Sequence, residues 1–350
     1  MRVVKSGTII IVLIALVILV ALVCILSETP GRTLYFFFFG PFRNAFSFGN
    51  MLNSSIPLIL GALGVSIAMK AGSLNLGGEG QIYAGAFVAT IVALPLGHLG
   101  FFGALAAILA GALFAGALAA LSGLFKVLWD TNELITSFLL SNAVILIVNY
   151  MVTGPFLDPE TNLQSTRKIA DNLRFSQILP PSNLSTALFI AIAMVIIVQI
   201  FLAETRLGYE FRMAGINEIF ARYGGINTRL NTVLAMFLSG AFYGLAGGLA
   251  VFGTHHATIR EFSAGLGWNG LAAALVAGFN PVAILPAGLF FAWIASGARI
   301  AMQNSDITFE IAAVVQSVIF FLATSMVLRS AFKRAGFKRS TRKRTGRGSE

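Results

Sequence analysis

Apolar residues run in long unbroken blocks along this chain, and short polar or glycine-rich stretches separate the blocks. Spans can be drawn at roughly 9–26, 50–69, 80–97, 101–125, 132–153, 185–203, 230–252, 266–280, 282–303 and 307–328. Crossing a hydrocarbon core takes about 20 apolar residues in an α-helix, which satisfies its own backbone. The pattern predicts an all-α, polytopic helical membrane protein with about ten transmembrane helices. They form one transmembrane domain over 1–328, and a basic tail follows over 329–350. The eighth span is short and glycine-rich, but it counts as a crossing, because without it the two termini would lie on opposite sides. Prolines 155, 159, 180 and 181 mark 154–184 as an outer loop, and 204–229 is the largest inner loop, with helical features.

Small residues follow a second period. Gly103, Ala107, Gly111, Ala115, Ala119 and Gly123 recur every four residues in the fourth span, and Gly240, Gly244 and Gly248 do so in the seventh. Such stripes let helix backbones approach closely, a structural role.

Composition narrows the class. Hydrophobic residues make up 57% of the chain and charged residues 11%, against about 25% charged in a soluble domain. An ordinary soluble enzyme and a disordered chain are both excluded. The net charge is +10, and nine of the 24 Lys/Arg fall in the last 22 residues. After an apolar helix, such a tail reads as a cytoplasmic anchor beside anionic lipid rather than a nucleic-acid binder. With both termini inside, inner segments hold 17 Lys/Arg and outer loops six, as the positive-inside rule requires. Arg2 and Lys5 before the run from Ile9 to Leu26 resemble a signal peptide, but no small-x-small cleavage site follows, so the run reads as an uncleaved first helix. The single Cys24 excludes an internal disulfide framework, and three histidines without a Cys/His cluster argue against a zinc site. His255 and His256 read as solvated loop histidines.

Motifs for chemistry are absent. The chain has no G-x-x-x-x-G-K-[ST], no H-E-x-x-H and no G-x-S-x-G, so it does not read as an ATPase or a hydrolase. Two glycine-interrupted stretches stand out instead. Lys70–Gln81 breaks the helical pattern between two apolar runs, and Gly265-Leu-Gly267-Trp268-Asn269-Gly270 echoes it. Irregular backbone at membrane depth must be buried in protein or line a watery cavity, and broken helices often form transport paths. Asn75, Glu79 and Gln81 are therefore expected to border a translocation path, with Trp268 and Asn269 contributing from the second half. Capping of the third span is the alternative role for Glu79. Arg299 and Glu310 are expected to pair near the outer surface. Glu79, Glu133, Arg299 and Glu310 would be the ion sites of the competing reading, an ion-gradient-driven secondary transporter.

Within the inner loop, Asn217 suits a helix N-cap, Gly224 a stop, and Glu218 and Arg222 an i,i+4 pair. Ile216, Phe220 and Tyr223 share one side of this short helix, which would lie on lipid or dock on a protein.

Three segments carry a resemblance. Asn75-Leu-Gly-Gly-Glu79-Gly-Gln81, followed by Gly85-Ala86, resembles the signature of bacterial ABC-importer permeases of the branched-chain-amino-acid and simple-sugar type, in the form of the nucleoside branch. Arg212–Asn227 is similar to that family's cytoplasmic coupling segment, with Glu218 and Phe220 where members often carry Pro and Ala. Ala235–Gly248 is similar to its "SG-x-x-x-G-x-A-G" helix. The resemblance spans roughly 50–330. It implies a permease subunit of the bacterial cytoplasmic membrane, paired with a second and usually different permease, two ABC ATPase subunits and an external substrate-binding protein. It implies no cofactor in this chain and no nucleic acid, with ATP and Mg bound by the partner ATPases. Asn217, Glu218, Ile219, Phe220, Ala221, Arg222 and Tyr223 would dock on the ATPase. The implied cargo is a nucleoside, a simple sugar or a riboflavin-like vitamin.

Overall fold

The computed structural model describes residues 13–14, 16–25, 27–306, 314, 317–318 and 321. Its helices are α1 (Leu16–Ile25), α2 (Pro30–Phe39), α3 (Ala45–Lys70), α4 (Gly78–Ala93), α5 (Phe101–Trp129), α6 (Glu133–Thr153), α7 (Ala187–Glu204), α8 (Arg206–Ile216), α9 (Glu218–Tyr223), α10 (Thr228–Ala250), α11 (Leu266–Val276) and α12 (Pro281–Asn304). Side-chain caps set several of the starts. Asn44, Asn132, Asn227 and Asn280 accept bonds from the N–H groups of Ser47, Leu134, Leu230 and Val282, and Thr205 does the same for Gly208.

Six of these helices are long and apolar enough to cross a membrane: α3, α5, α6, α7, α10 with its C-terminal turn, and α12. The all-α polytopic architecture is present among the described residues, but ten membrane-length helices are not, and two of the drawn spans hold short helices. The 16 residues of α4 and the 11 of α11 reach only about 24 Å and 16 Å, short of a core about 30 Å thick. The first drawn span is described only in part, and 307–328 and the basic tail lie outside the described residues, a few positions of 307–328 apart. The stretch Pro30–Phe39, which no drawn span covers, is a helix packed on α12.

The glycine stripes meet each other. α5 and α10 run antiparallel in the most extensive helix contact of the bundle. A Cβ on Gly244 would lie 2.6 Å from the Ala115 Cβ and 2.7 Å from the Gly111 carbonyl oxygen, so a larger side chain would force the helices apart. Gly123 opposes Val233 and Gly116 opposes Phe237 further along, which places the C-terminus of α5 beside the N-terminus of α10. Lys126 there pairs with Glu133 at 2.7 Å, joining α5 to α6. The same end carries α8 and α9. At the opposite end the loop 154–186 folds on itself and on the chain after α10, through bridges Leu157–Thr166 and Ser165–Ile259.

Candidate functional site

Two stretches of non-helical backbone enter the bundle from opposite ends. The first follows α3. Gly72, with φ +81°, reverses the chain, and Ser73–Gly77 then runs back between α6 and α10. Its depth is set by Asn75, whose Nδ2 donates to the Ser239 hydroxyl at 3.1 Å, about halfway along α10. Backbone buried at that level must find partners inside the protein. Asn75 Oδ1 accepts the Gly77 N–H at 2.9 Å, the Ser137 hydroxyl accepts the Leu76 N–H at 3.1 Å, and the Ser141 hydroxyl accepts the Gly80 N–H at 2.8 Å. Asn75 and Gln81 close a reciprocal amide pair, with Asn75 Nδ2 donating at 2.7 Å and Gln81 Nε2 donating back at 3.0 Å. Both residues are buried.

The second stretch follows α10, after which Val251–His255 widen into a π turn. Residues 256–265 descend along α4 with three fixings. The Thr258 hydroxyl bonds that of Thr90 at 2.7 Å, the Tyr83 hydroxyl accepts the Glu261 N–H at 3.3 Å, and Glu79 holds the end. Glu79 Oε1 accepts the Gly265 N–H at 2.9 Å and Oε2 the Gly267 N–H at 2.8 Å. Glu79 sits in the first turn of α4 and caps α11. The eighth passage is thus half irregular chain and half helix, and it ends near Phe279, whose carbonyl accepts from Ser66 Oγ at 2.8 Å, one turn before the α8–α9 end of α3.

Above the α11 start lies a cavity of about 690 Å³. Trp268 and Asn269 line it with Asn53, Ser54, Thr254, His255, Phe262 and Arg299. Asn75, Glu79 and Gln81 are not among its lining residues; they stand in the hydrogen-bonded framework beside it. Pro57 lines it too, and as a proline inside α3 it cannot bond the Asn53 carbonyl, which loosens the helix at the wall. His255, expected in solvent, is partly buried in the wall with its ring 5.2 Å from that of Phe262. Arg299 donates to the hydroxyls of Ser54 at 3.1 Å and Ser296 at 3.4 Å, while Glu310, its expected partner, lies outside the described residues. The wall combines aromatic faces with amide, hydroxyl and guanidinium groups, which suits a flat polar heterocycle. Sequence reading missed Asn53 and Thr254 here, and it singled out Arg299 only for pairing with Glu310 or as an ion site. The one signal for them was a polar or charged side chain inside an apolar run. Among the described residues no cluster of His, Cys, Asp and Glu could hold a metal ion.

A second surface lies at the other end. Asn217 caps α9 by accepting the Phe220 N–H at 3.1 Å, and Glu218 pairs with Arg222 at 2.8 Å, an exposed pair worth about 0.3–0.5 kcal/mol. Gly225, at φ +80°, takes the left-handed turn after Gly224, so the Ile226 N–H returns to the Ala221 carbonyl. Ala221 faces the bundle at 1% exposure, whereas Ile216, Ile219, Phe220 and Tyr223 are 76, 70, 62 and 88% exposed. That is a contiguous apolar face without a covering element among the described residues. Beneath it, α8 touches the start of the first interrupted stretch: Gly215 packs on the backbone of Lys70 and Gly72. Arg212 donates to the terminal carbonyls of α7 at Leu202 and Ala203.

Residues 47–324 match the family model described as branched-chain amino acid transport system / permease component. The probable riboflavin import permease protein RfuC of Treponema pallidum is 33% identical over 315 residues, 90% of this chain and 84% of that protein. The nucleoside ABC transporter permease protein NupB of Lactococcus lactis is 29% identical, covering 85% of each chain. The glucose ABC transporter permease protein TsgB13 of Haloferax volcanii is 30% identical over 80% of this chain and 77% of its own. A second Lactococcus lactis permease, NupC, also matches, at 26% over 73% of this chain and 82% of its own. No solved structure matches the chain.

Proposed function

The chain belongs to the branched-chain amino acid transport system permease family, and from that premise we propose that it is the membrane-spanning subunit of an ATP-driven importer for a nucleoside or a related small polar solute. The observation that carries the cargo class is the cavity wall, where Trp268, Phe262 and His255 offer ring faces and Asn53, Asn269 and Arg299 offer polar edges. The substrates named for two of the relatives, riboflavin and nucleosides, join a flat heterocycle to a hydroxyl-bearing group and fit such a wall, while glucose, named for a third, would use its polar groups alone. ATP and Mg would bind partner ATPases, which dock on the exposed face of α9. A second permease completes the membrane unit, and the matching NupB and NupC of one organism support a pair of unlike subunits. An external binding protein would deliver the solute at the end formed by loop 154–186. In this arrangement 1–328 is the permease domain, 329–350 is a basic tail, both termini are cytoplasmic, and the membrane is the bacterial cytoplasmic membrane. Closure of the ATPases on ATP moves α9 and α8, and alternating access follows without chemical change to the cargo.

The test is reconstitution of the full complex with ATP hydrolysis and uptake measured together. Phe220→Glu and Tyr223→Asp should reduce substrate-stimulated hydrolysis and uptake, with expression and insertion intact, because both side chains point away from the bundle. Normal assembly and coupled hydrolysis in both variants would remove α9 as the docking site.

A further inference from the structure

The two interrupted stretches are fastened at different ends of the molecule and joined at one side chain. The first begins where Gly72 meets Gly215 of α8. The second is bound to the loop at the opposite end, where the Thr166 N–H donates to the Thr258 carbonyl at 3.0 Å and the Ile169 N–H to the His256 carbonyl at 2.8 Å. They meet where α4 and α11 begin, and the carboxylate of Glu79 spans the gap with one oxygen on the N–H of Gly265, the residue before α11, at 2.9 Å and the other on the N–H of Gly267 in its first turn at 2.8 Å. No side chain of α11 itself caps its start. The approach is tight: a Cβ on Gly267 would collide with the Glu79 backbone. The residues that follow, Trp268 and Asn269, are the polar and aromatic side chains that α11 places on the cavity wall.

We propose that Glu79 is a positioning residue of the transport path, whose carboxylate makes the two interrupted stretches move as one and sets where Trp268 and Asn269 stand in the wall. This deepens the proposed function and rests on the cavity being the path. A carboxylate suits the task because it accepts two N–H bonds at once and complements the positive end of a helix. Glutamine offers one acceptor oxygen, and its amide N–H would face a second donor. Methionine fills the space and accepts neither bond.

The test uses the assembled complex with W129F and W293F in this chain, so that Trp268 is its sole tryptophan; spectra of the same complex carrying W268F give the background to subtract. E79M should at least double acrylamide quenching of Trp268, and E79Q should fall between E79M and the parent. In proteoliposomes, with guanosine and riboflavin as the probes, E79M, which loses both bonds, should raise the half-saturation concentration at least about tenfold, the factor for losing even one hydrogen bond to a charged group. Unaltered Trp268 quenching in a folded E79Q or E79M complex would overturn the proposal, whichever of the two can be purified. Lower thermal stability with Trp268 and half-saturation both unchanged would likewise overturn it, leaving Glu79 a structural cap. Failure of the parent complex to move either probe would count against the proposed cargo and not against the positioning role, because the fluorescence result does not depend on uptake.

Discussion

The amide pair at the turn-back of the first interrupted stretch allows a quantitative test. Asn75 takes part in four hydrogen bonds, two with Gln81, one with Ser239 and one with the Gly77 N–H. Side-chain hydrogen bonds between membrane helices average about 0.6 kcal/mol, so Asn75→Ala should cost about 2–3 kcal/mol, and more where the Gly77 N–H is left buried without a partner. Gln81→Ala removes only the two bonds it shares with Asn75 and should cost about 1 kcal/mol by the same figure, plus the loss of its methylenes. Those two bonds are lost in either single variant, so the double variant should be milder than the sum of the singles. The coupling worked from the geometry is about 1 kcal/mol, above the 0.3–0.5 kcal/mol scatter of independent sites. The assay is reversible unfolding in mixed micelles, followed by fluorescence, for the parent and three variants. Additivity within that scatter would refute the reading that Asn75 and Gln81 satisfy one another in a dry interior.

Gly244→Leu should lower stability by about 1–3 kcal/mol, because the α5–α10 contact has no room for a side chain; a thermal midpoint equal to the parent's would contradict the packing. Asp306 accepts bonds from the hydroxyls of Ser27 and Thr29 and from the Glu28 N–H, which together hold its carboxyl near pKa 2, below its ordinary 3.8. Its folded pKa is the lower one, so its contribution is complete above about pH 4 and fades as the pH falls toward 2. Asp306→Asn should lower the melting temperature at pH 6, and that difference should vanish near pH 2, as scans across the range would reveal. Arg299→Leu should weaken uptake while leaving ATPase assembly intact, since the guanidinium lines the cavity and hydrogen-bonds the hydroxyls of Ser54 and Ser296; unchanged uptake kinetics would remove Arg299 from the path.

Long-range periodicity was readable because membrane burial demands it. Runs of about 20 apolar residues located the long helices, and the four-residue stripes identified the surfaces on which α5 and α10 meet. Asn217 and the Glu218–Arg222 pair were legible because caps and i,i+4 pairs are local. Helix lengths near the breaks were not. Hydropathy counts apolar residues in helix and in the turns that follow alike, so 80–97 and 266–280 looked like spans, although α4 stops at Ala93 and α11 at Val276. The cavity wall was hidden for a different reason. Asn53, Thr254, His255 and Arg299 belong to three segments far apart in sequence, and only the packing of α3, α10 and α12 brings them together.

The signature residues near 75–81 can be understood from the break they occupy. A chain that leaves a helix inside a bundle exposes N–H and C=O groups where water cannot reach them, and each unpaired group is expensive. Glycines allow the turn and the close approach, but they bring no partners. Asn75 supplies both donor and acceptor, Gln81 answers it, and Glu79 carries the same service across to the second break. This argues that the polar letters of the motif maintain the interruption, whatever solute passes. On the proposed function, recognition of the solute would then fall to side chains outside the motif, on α3, α11, α12 and the π turn after α10. On that argument, exchanging Asn53, Thr254 or Arg299 should change which solute is preferred. Exchanging Asn75 or Gln81 should weaken handling of every solute alike, and a variant at Asn75 that switched preference would break the distinction.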